Sequence, residues 1–222
     1  MVAGLLDNDF LFKFVACDLI EPALELLGLT RANIRVLESL PFVARKSKSV
    51  KKNYNEDTLA RSIAYAEGIA KVMPNLESEA YKRLSQIEGI DQGEATLFAR
   101  ALDEGGVILA TGDKRALKAL ATAPNIDDLH TRLKSRIVCI EQVMGALAER
   151  DFEHVRRCVV PVYDCDKVLR SAFGSGLKST KEAVLEALAH YHRQVAAASN
   201  GLVYIEYEFV EAVTSLAAEP KK

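Results

Sequence analysis

The sequence predicts an α/β fold with a central, mostly parallel sheet and helices on both faces, followed by a mainly helical C-terminal segment. Short apolar runs of strand length alternate with segments of helical periodicity over the first 150 residues, and the pattern beyond Arg150 is mostly helical. Because strands that alternate with helices form parallel sheets, we expect a three-layer α/β/α sandwich over residues 1–150. Residues 151–222 are expected to form a helical extension packed on this domain or on a partner subunit.

The size and composition of the chain are those of an ordinary globular protein. It has 222 residues, of which 49% are hydrophobic and 27% are charged. This is enough for one domain of roughly 150 residues with an extension. The 29 basic and 31 acidic residues give a net charge of −2. Such a balance argues against holding nucleic acid by bulk positive charge, so any contact of this kind has to be local.

The N-terminus and the cysteines indicate a cytoplasmic protein. The N-terminus lacks the basic region of a signal peptide, and no run approaches the roughly 18 apolar residues that span a membrane. Cys158 and Cys165 are the most closely spaced of the four cysteines, and no His or Cys pair elsewhere completes a zinc-site pattern. We therefore expect reduced thiols, no zinc and no contact with a membrane.

Two strands are predicted in the first forty residues. Residues 2–6 are a short apolar run that suits a buried strand, and residues 34–37 (IRVL) are a second candidate strand. Between them, residues 10–27 carry apolar side chains at helical spacing. Pro22 is placed to divide this segment into two helices, and Gly28 to end the second one.

The next fifty residues are predicted to be helical apart from one loop. Ser39 and Pro41 are placed to open a helix. The strongly basic stretch 45–53 is expected to be the end of that helix followed by an exposed loop. Helical spacing then resumes over residues 56–72, and residues 76–87 form a further predicted helix.

Residues 90–121 contain the clearest local signals. Asp91 with Glu94 three residues later has the pattern of a capping box at the start of a helix, which Gly105 and Gly106 stop. An apolar strand follows over residues 107–110, and a new helix begins just after it.

The last part of the chain contains one further strand of the main sheet. Residues 136–140 (RIVCI) are the predicted strand, and a predicted helix follows them. Residues 180–198 form a long amphipathic helix whose apolar stripe suits packing on the main domain or on a second subunit, so a homo-oligomer stays open. Residues 202–209 alternate enough to form a late strand at a sheet edge.

Acidic residues follow two of the predicted strands where the strands end. Asp7 follows the first strand, and Asp113 lies just past the strand at 107–110. Ligands of open parallel sheets bind beyond the carboxyl ends of the strands, so the two carboxylates face each other if these strands are neighbours. Asp91 and Glu94 lie on one face of the preceding helix and can reach the same cleft.

Carboxylates that share a cleft repel one another unless a cation neutralises them or some are protonated. Oxygen ligands without His or Cys select Mg²⁺ or Mn²⁺, and such a cation suits the hydrolysis of a phosphodiester. The predicted ligands and catalytic residues are Asp7, Glu94 and Asp113, with Asp91 and Asp9 as additional or outer acids.

Each acid also has a structural interpretation. Asp91 caps a helix, Glu94 favours the dipole of the same helix, and Asp9 caps the helix that follows it. Asp7 and Asp113 can pair with Arg or Lys, although ending two buried strands in unpaired acids is costly.

Three motifs in this order resemble the PIN-domain family of metal-dependent nucleases. The first is an apolar strand ending in Asp, here LLDND at residues 5–9. The second is G-E-A opening a helix, at residues 93–95, and the third is a strand ending in T-x-D, at residues 111–113. The resemblance covers roughly residues 2–148.

The resemblance implies a PIN-like sandwich, a Mg²⁺ or Mn²⁺ site at Asp7, Glu94 and Asp113, and hydrolysis of single-stranded RNA to a 5′-phosphate and a 3′-hydroxyl. It also implies that Thr111 supports the site through its hydroxyl. A narrower version makes the chain the toxin of a toxin–antitoxin pair, which predicts a small antitoxin protein as its partner.

One departure from the family pattern motivates a second hypothesis. Many members carry a further acid early in the helix after the second strand, where this chain has SLPFV at residues 39–43. The nearest acid, Glu38, is expected to be a surface charge at the strand end. A missing ligand weakens one metal position, so the alternative is a catalytically weak PIN-like module for binding or assembly.

A third hypothesis is an unrelated α/β phosphohydrolase. It would use Asp7 and Asp9 as a D-x-D nucleophile and acid, and Lys114 and Asp113 would fill the roles of its downstream lysine and metal ligand. This enzyme would form an aspartyl-phosphate during turnover, which a nuclease of the PIN type would not.

Basic residues near the acids are candidates for contacts with nucleic acid. Lys46, Lys48 and Lys51 belong to the densest positive cluster and can steer a phosphate backbone toward the acidic cleft. Lys114 and Arg115 directly follow Asp113 and can contact phosphates near the metal. The structural alternatives are a solvated loop and an exposed helical turn. No aromatic residue interleaves with these clusters, so base stacking is not predicted.

Overall fold

The computed structural model describes residues 3–134 and 136–203, and these residues form an α/β sandwich around one parallel sheet. The strands are β1 (Ala3–Leu6), β2 (Ile34–Leu37), β3 (Ala70–Val72), β4 (Val107–Thr111) and β5 (Ile137–Cys139). All neighbouring strands are parallel, and their order in the sheet is β3-β2-β1-β4-β5. The predicted fold class is confirmed.

The described ranges contain thirteen α-helices, which cover both faces of the sheet. They are α1 (Asn8–Ala16), α2 (Ile20–Leu26), α3 (Leu40–Lys46), α4 (Lys48–Asn53), α5 (Glu56–Ala66), α6 (Glu79–Leu84), α7 (Gln92–Asp103), α8 (Lys114–Thr122), α9 (Asp127–Leu133), α10 (Ile140–Arg150), α11 (Phe152–Val159), α12 (Lys167–Phe173) and α13 (Lys181–Ala198). Within these ranges, no helix is long and apolar enough to cross a membrane.

The centre of the sheet is the pairing of β1 with β4. Leu6 lies beside Ala110 of β4 on one side and beside Val36 of β2 on the other. The chain builds β2 and β3 outward from β1, then returns and builds β4 and β5 on the opposite side. The direction of winding therefore reverses between β1 and β4, and a crevice for ligands forms at the carboxyl ends of such a strand pair.

Two hydrophobic cores lie on opposite faces of the sheet because successive side chains of a strand point to opposite faces. Leu6 belongs to the core that also contains Phe10 and Phe14. Leu5 belongs to the other core, together with Phe98 and Leu109.

The C-terminal helices pack on the sheet domain rather than standing apart from it. Phe173 of α12 and Leu188 of α13 are fully buried and belong to the same core as Leu6. Helix α13 packs against α10 and α8. Residues 151–203 therefore share a core with the residues of the predicted domain 1–150.

Two sequence predictions between residues 45 and 72 were wrong. The stretch expected to be an exposed loop contains the helix α4, because Ser47 caps it by accepting a hydrogen bond from the Val50 amide and lysine favours helix formation. The helix expected over residues 56–72 ends at Ala66, and its last three residues are β3. Gly68 turns the chain between them with φ of 78°, and a three-residue strand is too short to show a period of its own.

Smaller corrections concern the first helical segment and α6. The break between α1 and α2 falls at Asp18, whose φ of 54° is left-handed, and not at Pro22. Pro22 lies in the first turn of α2, where its missing amide hydrogen removes no helical hydrogen bond. Helix α6 begins only after Ser78, which caps it, and is shorter than the predicted segment 76–87.

The predicted late strand at 202–209 lies mostly outside the described residues. Of its members, Leu202 and Val203 are described, and both are buried. Val203 forms an isolated parallel bridge with Ile137 of β5, so the chain reaches the β5 edge of the sheet where the prediction begins.

Candidate functional site

An open cleft of about 630 Å³ lies at the carboxyl ends of the central strands. All five acids predicted from the sequence line this cleft; they are Asp7, Asp9, Asp91, Glu94 and Asp113. They come from the end of β1, the start of α1, the start of α7 and the end of β4. The pairing of β1 with β4 thus brings together residues that are up to 106 positions apart in the chain.

Thr111 joins the two strand-end acids. Its hydroxyl donates a hydrogen bond of 3.0 Å to Asp7 Oδ2 and accepts one of 3.1 Å from the Asp113 amide. The Asp7 amide also donates to the Ala110 carbonyl oxygen at 2.9 Å, which continues the sheet up to the site. Thr111 is therefore positioned to orient both acids, in the supporting place that the family resemblance implies.

Asp7 is the most deeply buried of the strand-end acids. Burial, and after it the charge of Asp9, raises the pKa of Asp7 to about 7, against the lowering effect of the Thr111 hydrogen bond. A carboxylate held in such a place is destabilised near neutral pH unless positive charge reaches it.

Glu94 and Asp91 form the predicted capping box. The Glu94 amide donates to Asp91 Oδ1 at 2.9 Å, and the Asp91 amide donates to Glu94 Oε2 at 2.7 Å. The structural interpretation of Asp91 as a cap is therefore correct, and the cap lies inside the cleft. Burial raises the pKa of Glu94 to about 8, and its side-chain hydrogen bond with Asp113 acts in the same direction.

Asp113 is held by several donors at the start of α8. Its Oδ1 accepts from the amides of Arg115 at 2.8 Å and of Ala116 at 3.1 Å. The Arg115 guanidinium lies 3.2 Å from the other carboxylate oxygen. Burial acts to raise the pKa of Asp113, but the hydrogen bonds from Glu94 and from these donors outweigh it and lower the pKa.

Asp9 is tied to the C-terminal helices through a buried lysine that the sequence analysis missed. Lys13 Nζ lies 2.5 Å from Asp9 and 2.7 Å from Asp166, and only 9% of its side chain is exposed. Gly112 makes room for Asp9, since a Cβ at this position would overlap the Asp9 carboxylate. A lysine within the apolar run of α1 is a signal for a buried ion pair, but its partner Asp166 lies 153 positions away.

The ligand types in the cleft fit a hard divalent cation. All five acids offer oxygen ligands, and Asn8 Oδ1, a further oxygen of ligand type, is buried without a hydrogen-bond partner in the described part of the chain. The carboxylates are nevertheless engaged with protein donors. In residues 3–134 and 136–203, no group of three or more His, Cys, Asp or Glu side chains is already arranged to hold a metal ion. The cleft thus offers suitable chemistry without a preformed ligand geometry.

The predicted nucleic-acid contacts lie outside the cleft. Lys46, Lys48 and Lys51 are exposed on α3 and α4, and Arg115 is paired with Asp113. Lys114 forms an ion pair within the protein, since its Nζ lies 2.5 Å from Glu141, whose side chain is only 3% exposed. The position of Lys114 supports the structural interpretation of this residue.

The remaining predictions about side chains concern Glu38 and the cysteines. Glu38 is exposed and does not line the cleft, so the acid missing from the family pattern is not replaced by it. The cysteines Cys17, Cys139, Cys158 and Cys165 are free thiols, and the first two are buried.

We predict that Asp7→Asn stabilises the protein near pH 8 in the presence of a chelator. The pKa of Asp7 is raised on folding, so its contribution to stability is present below pH 4 and is lost as the pH rises through about 7. The neutral amide of the variant does not lose stability as the pH rises, and its oxygen still accepts the hydrogen bond from the Thr111 hydroxyl. Its free energy of unfolding, measured by urea denaturation, should exceed that of the wild type by a few kcal/mol at pH 8, since one pKa unit corresponds to about 1.4 kcal/mol.

The matched control for this experiment is Asp164→Asn, at an exposed acid outside the cleft. The stability difference should shrink toward pH 4, and Mg²⁺ should stabilise the wild type more than Asp7→Asn. Equal pH dependence of the wild type and Asp7→Asn would contradict the assignment of a destabilised carboxylate at this position.

We predict that Lys114→Met lowers the free energy of unfolding by roughly 1–3 kcal/mol because it leaves the buried Glu141 without its charged partner. Lys118→Met, at an exposed lysine of the same helix, is the control. Adding Glu141→Gln to Lys114→Met should restore most of the loss in thermal and urea unfolding. Unchanged stability combined with weaker RNA binding would instead assign Lys114 to substrate contact.

Comparison of the chain with protein-family models, with curated proteins and with solved structures gives no match. The resemblance to the PIN-domain family therefore rests on the three motifs at residues 5–9, 93–95 and 111–113. Function is accordingly inferred from the residues and geometry of the cleft, and membership of the family stays a prediction.

Proposed function

We propose that this chain is a Mg²⁺- or Mn²⁺-dependent ribonuclease of the PIN type that hydrolyses single-stranded RNA in the acidic cleft. The observation that carries the proposal is the convergence of five carboxylates in one open cleft at the carboxyl ends of β1 and β4. A cleft this acidic disfavours a phosphodiester unless a cation accompanies it, because the substrate and the site are both anionic.

The residues that would hold the cation are Asp7, Glu94 and Asp113, with Asp9 and Asp91 as outer acids. When bound, such a cation stabilises the negative charge that develops on the phosphoryl oxygens and makes a water molecule more acidic. Cleavage would leave a 5′-phosphate and a 3′-hydroxyl, as in the family that the motifs resemble.

The protein groups around these acids would keep them in position for catalysis. Thr111 orients Asp7 and Asp113 through its hydroxyl. Lys13 holds Asp9 at the side of the cleft. Burial raises the pKa of Glu94 to about 8, and an approaching positive charge would lower this pKa and so favour the ionised carboxylate.

The second candidate is a PIN-like module with weak catalysis that binds or assembles with a partner. One observation favours it: Ser39 and Val43 line the cleft where many members of the family carry a further acid. Of the two enzyme hypotheses, the phosphohydrolase is the less favoured one, since Lys114 is paired with Glu141 and Asp9 is paired with Lys13. An antitoxin partner stays a prediction of the narrower toxin hypothesis.

The test is cleavage of end-labelled single-stranded RNA with Mn²⁺, with Mg²⁺ and with a chelator. Metal-dependent cleavage is expected, and Asp7→Asn and Asp113→Asn should each reduce it by about two orders of magnitude or more because each removes a charged ligand. Asp164→Asn is the matched control and should cleave like the wild type.

Two outcomes would contradict the proposed ribonuclease. Cleavage that persists undiminished in the chelator, or in both cleft variants, would place the activity elsewhere. Folded wild-type protein that binds RNA without cleaving it in either metal would favour the binding module instead.

A further inference from the structure

Three of the four large hydrophobic side chains that are exposed in the described residues lie at the same end of the sheet as the acids. They are Phe42, Met73 and Leu76, and the fourth is Leu177. The first follows β2 and the other two follow β3. Single exposed apolar residues are ordinary, so exposure alone assigns no function to any of them. Phe42 is the most exposed of them, with 67% of its surface in solvent.

Phe42 lies beside the densest positive charge of the chain. Five basic residues follow it within ten positions; they are Arg45, Lys46, Lys48, Lys51 and Lys52. All five are exposed, and within the described part of the chain none forms an ion pair. Lys46 is four residues after Phe42 in α3 and therefore lies on the same helix face.

The helices α3 and α4 also form one wall of the acidic cleft. Val43, Ser49 and Val50 line it, whereas the lysines do not. In α4 the residues Lys48, Lys51 and Lys52 recur at helical spacing on the face away from the cleft. Phe42 and Lys46 occupy the face of α3 adjacent to that of Val43, which lines the cleft.

We infer that Phe42 is a stacking platform for an unpaired base of a single-stranded nucleic acid, with Lys46 on the same face of α3 contacting its phosphates. An exposed aromatic ring stacks on a base of any sequence, and a base in a duplex cannot offer its face in this way. The unpaired positive charges are complementary to a phosphate backbone, which in a chain of net charge −2 has to be attracted locally. The inference rests on the proposed function in one respect, which is the path of the nucleic acid from α3 into the acidic cleft.

The sequence does not predict base stacking, because no aromatic residue interleaves with the basic clusters. Phe42 lies three residues before Arg45, the first basic residue of the cluster in α3 and α4. The exposure of its side chain became known only from the packing of α3.

The test is the binding of a fluorescein-labelled single-stranded RNA of about ten nucleotides, measured by fluorescence anisotropy at low salt in a chelator. Phe42→Ala should weaken binding about tenfold, the effect expected for the loss of one base–aromatic stack. Phe42→Trp should bind at least as tightly as the wild type. Leu177→Ala, at an equally exposed apolar residue outside this surface, is the matched control and should leave the affinity unchanged.

An abasic strand of equal length separates stacking from other effects of the substitution. The wild type should bind the abasic strand about as weakly as Phe42→Ala binds the base-containing RNA. Phe42→Ala should bind both strands with the same affinity. Lys46→Gln should weaken binding to both strands and reduce the salt dependence by about one phosphate contact.

Three results would overturn the inference. The wild type could fail to bind single strands, Phe42→Ala could bind the RNA with unchanged affinity, or Phe42→Ala could weaken binding of the abasic strand as much as binding of the RNA. A change of oligomeric state in Phe42→Ala, measured by sedimentation, would assign the surface to a protein contact instead. Because the chelator prevents metal-dependent cleavage, these results are independent of whether the proposed nuclease activity is found.

Discussion

Pairing of β1 with β4 brings Asp7 and Asp113 to neighbouring strand ends. Placing two carboxylates close together is electrostatically unfavourable, and the groups around them respond to this cost. Burial and the nearby charges of Asp9 and Asp113 raise the pKa of Asp7. Neighbouring groups offset part of this cost, since Thr111 donates to Asp7 and the α8 amides donate to Asp113. The remaining imbalance is the physical reason for expecting a cation, since structural ion pairs alone leave Asp7 without a basic partner among the described residues.

The C-terminal helices contribute to the site as well as to the core. Asp166 caps α12 and shares Lys13 with Asp9, so an acid of the cleft is linked to a helix that begins more than 150 residues later. Burial acts to lower the pKa of Lys13, but its two carboxylate partners outweigh this effect and raise the pKa, which keeps the lysine charged. Residues 151–203 therefore help to hold Asp9 in position and do not simply cover the sheet.

The sequence predicted those parts of the molecule that have local signals. Apolar runs ending in Asp located β1 and the acid after it, and the pattern around Asp91 and Glu94 predicted the capping box that the structure contains. The strand β3 was not predicted because three residues are too few to show a period. The helix α4 was not predicted because a strongly basic stretch has the composition of a solvated loop. The Lys13–Asp166 pair and the exposure of Phe42 depend on tertiary packing. The apolar run around Lys13 indicates a buried ion pair, but the sequence does not identify its partner.

Anomalous diffraction from crystals soaked in Mn²⁺ shows whether the carboxylates of the cleft hold a cation. We expect a manganese peak in the cleft, within about 2.5 Å of oxygens of Asp7 and of Glu94 or Asp113, with the capping and Thr111 hydrogen bonds partly rearranged. The peak should be absent from Asp7→Asn crystals. A cleft without manganese in wild-type crystals that bind the ion elsewhere would show that these carboxylates do not form a cation site.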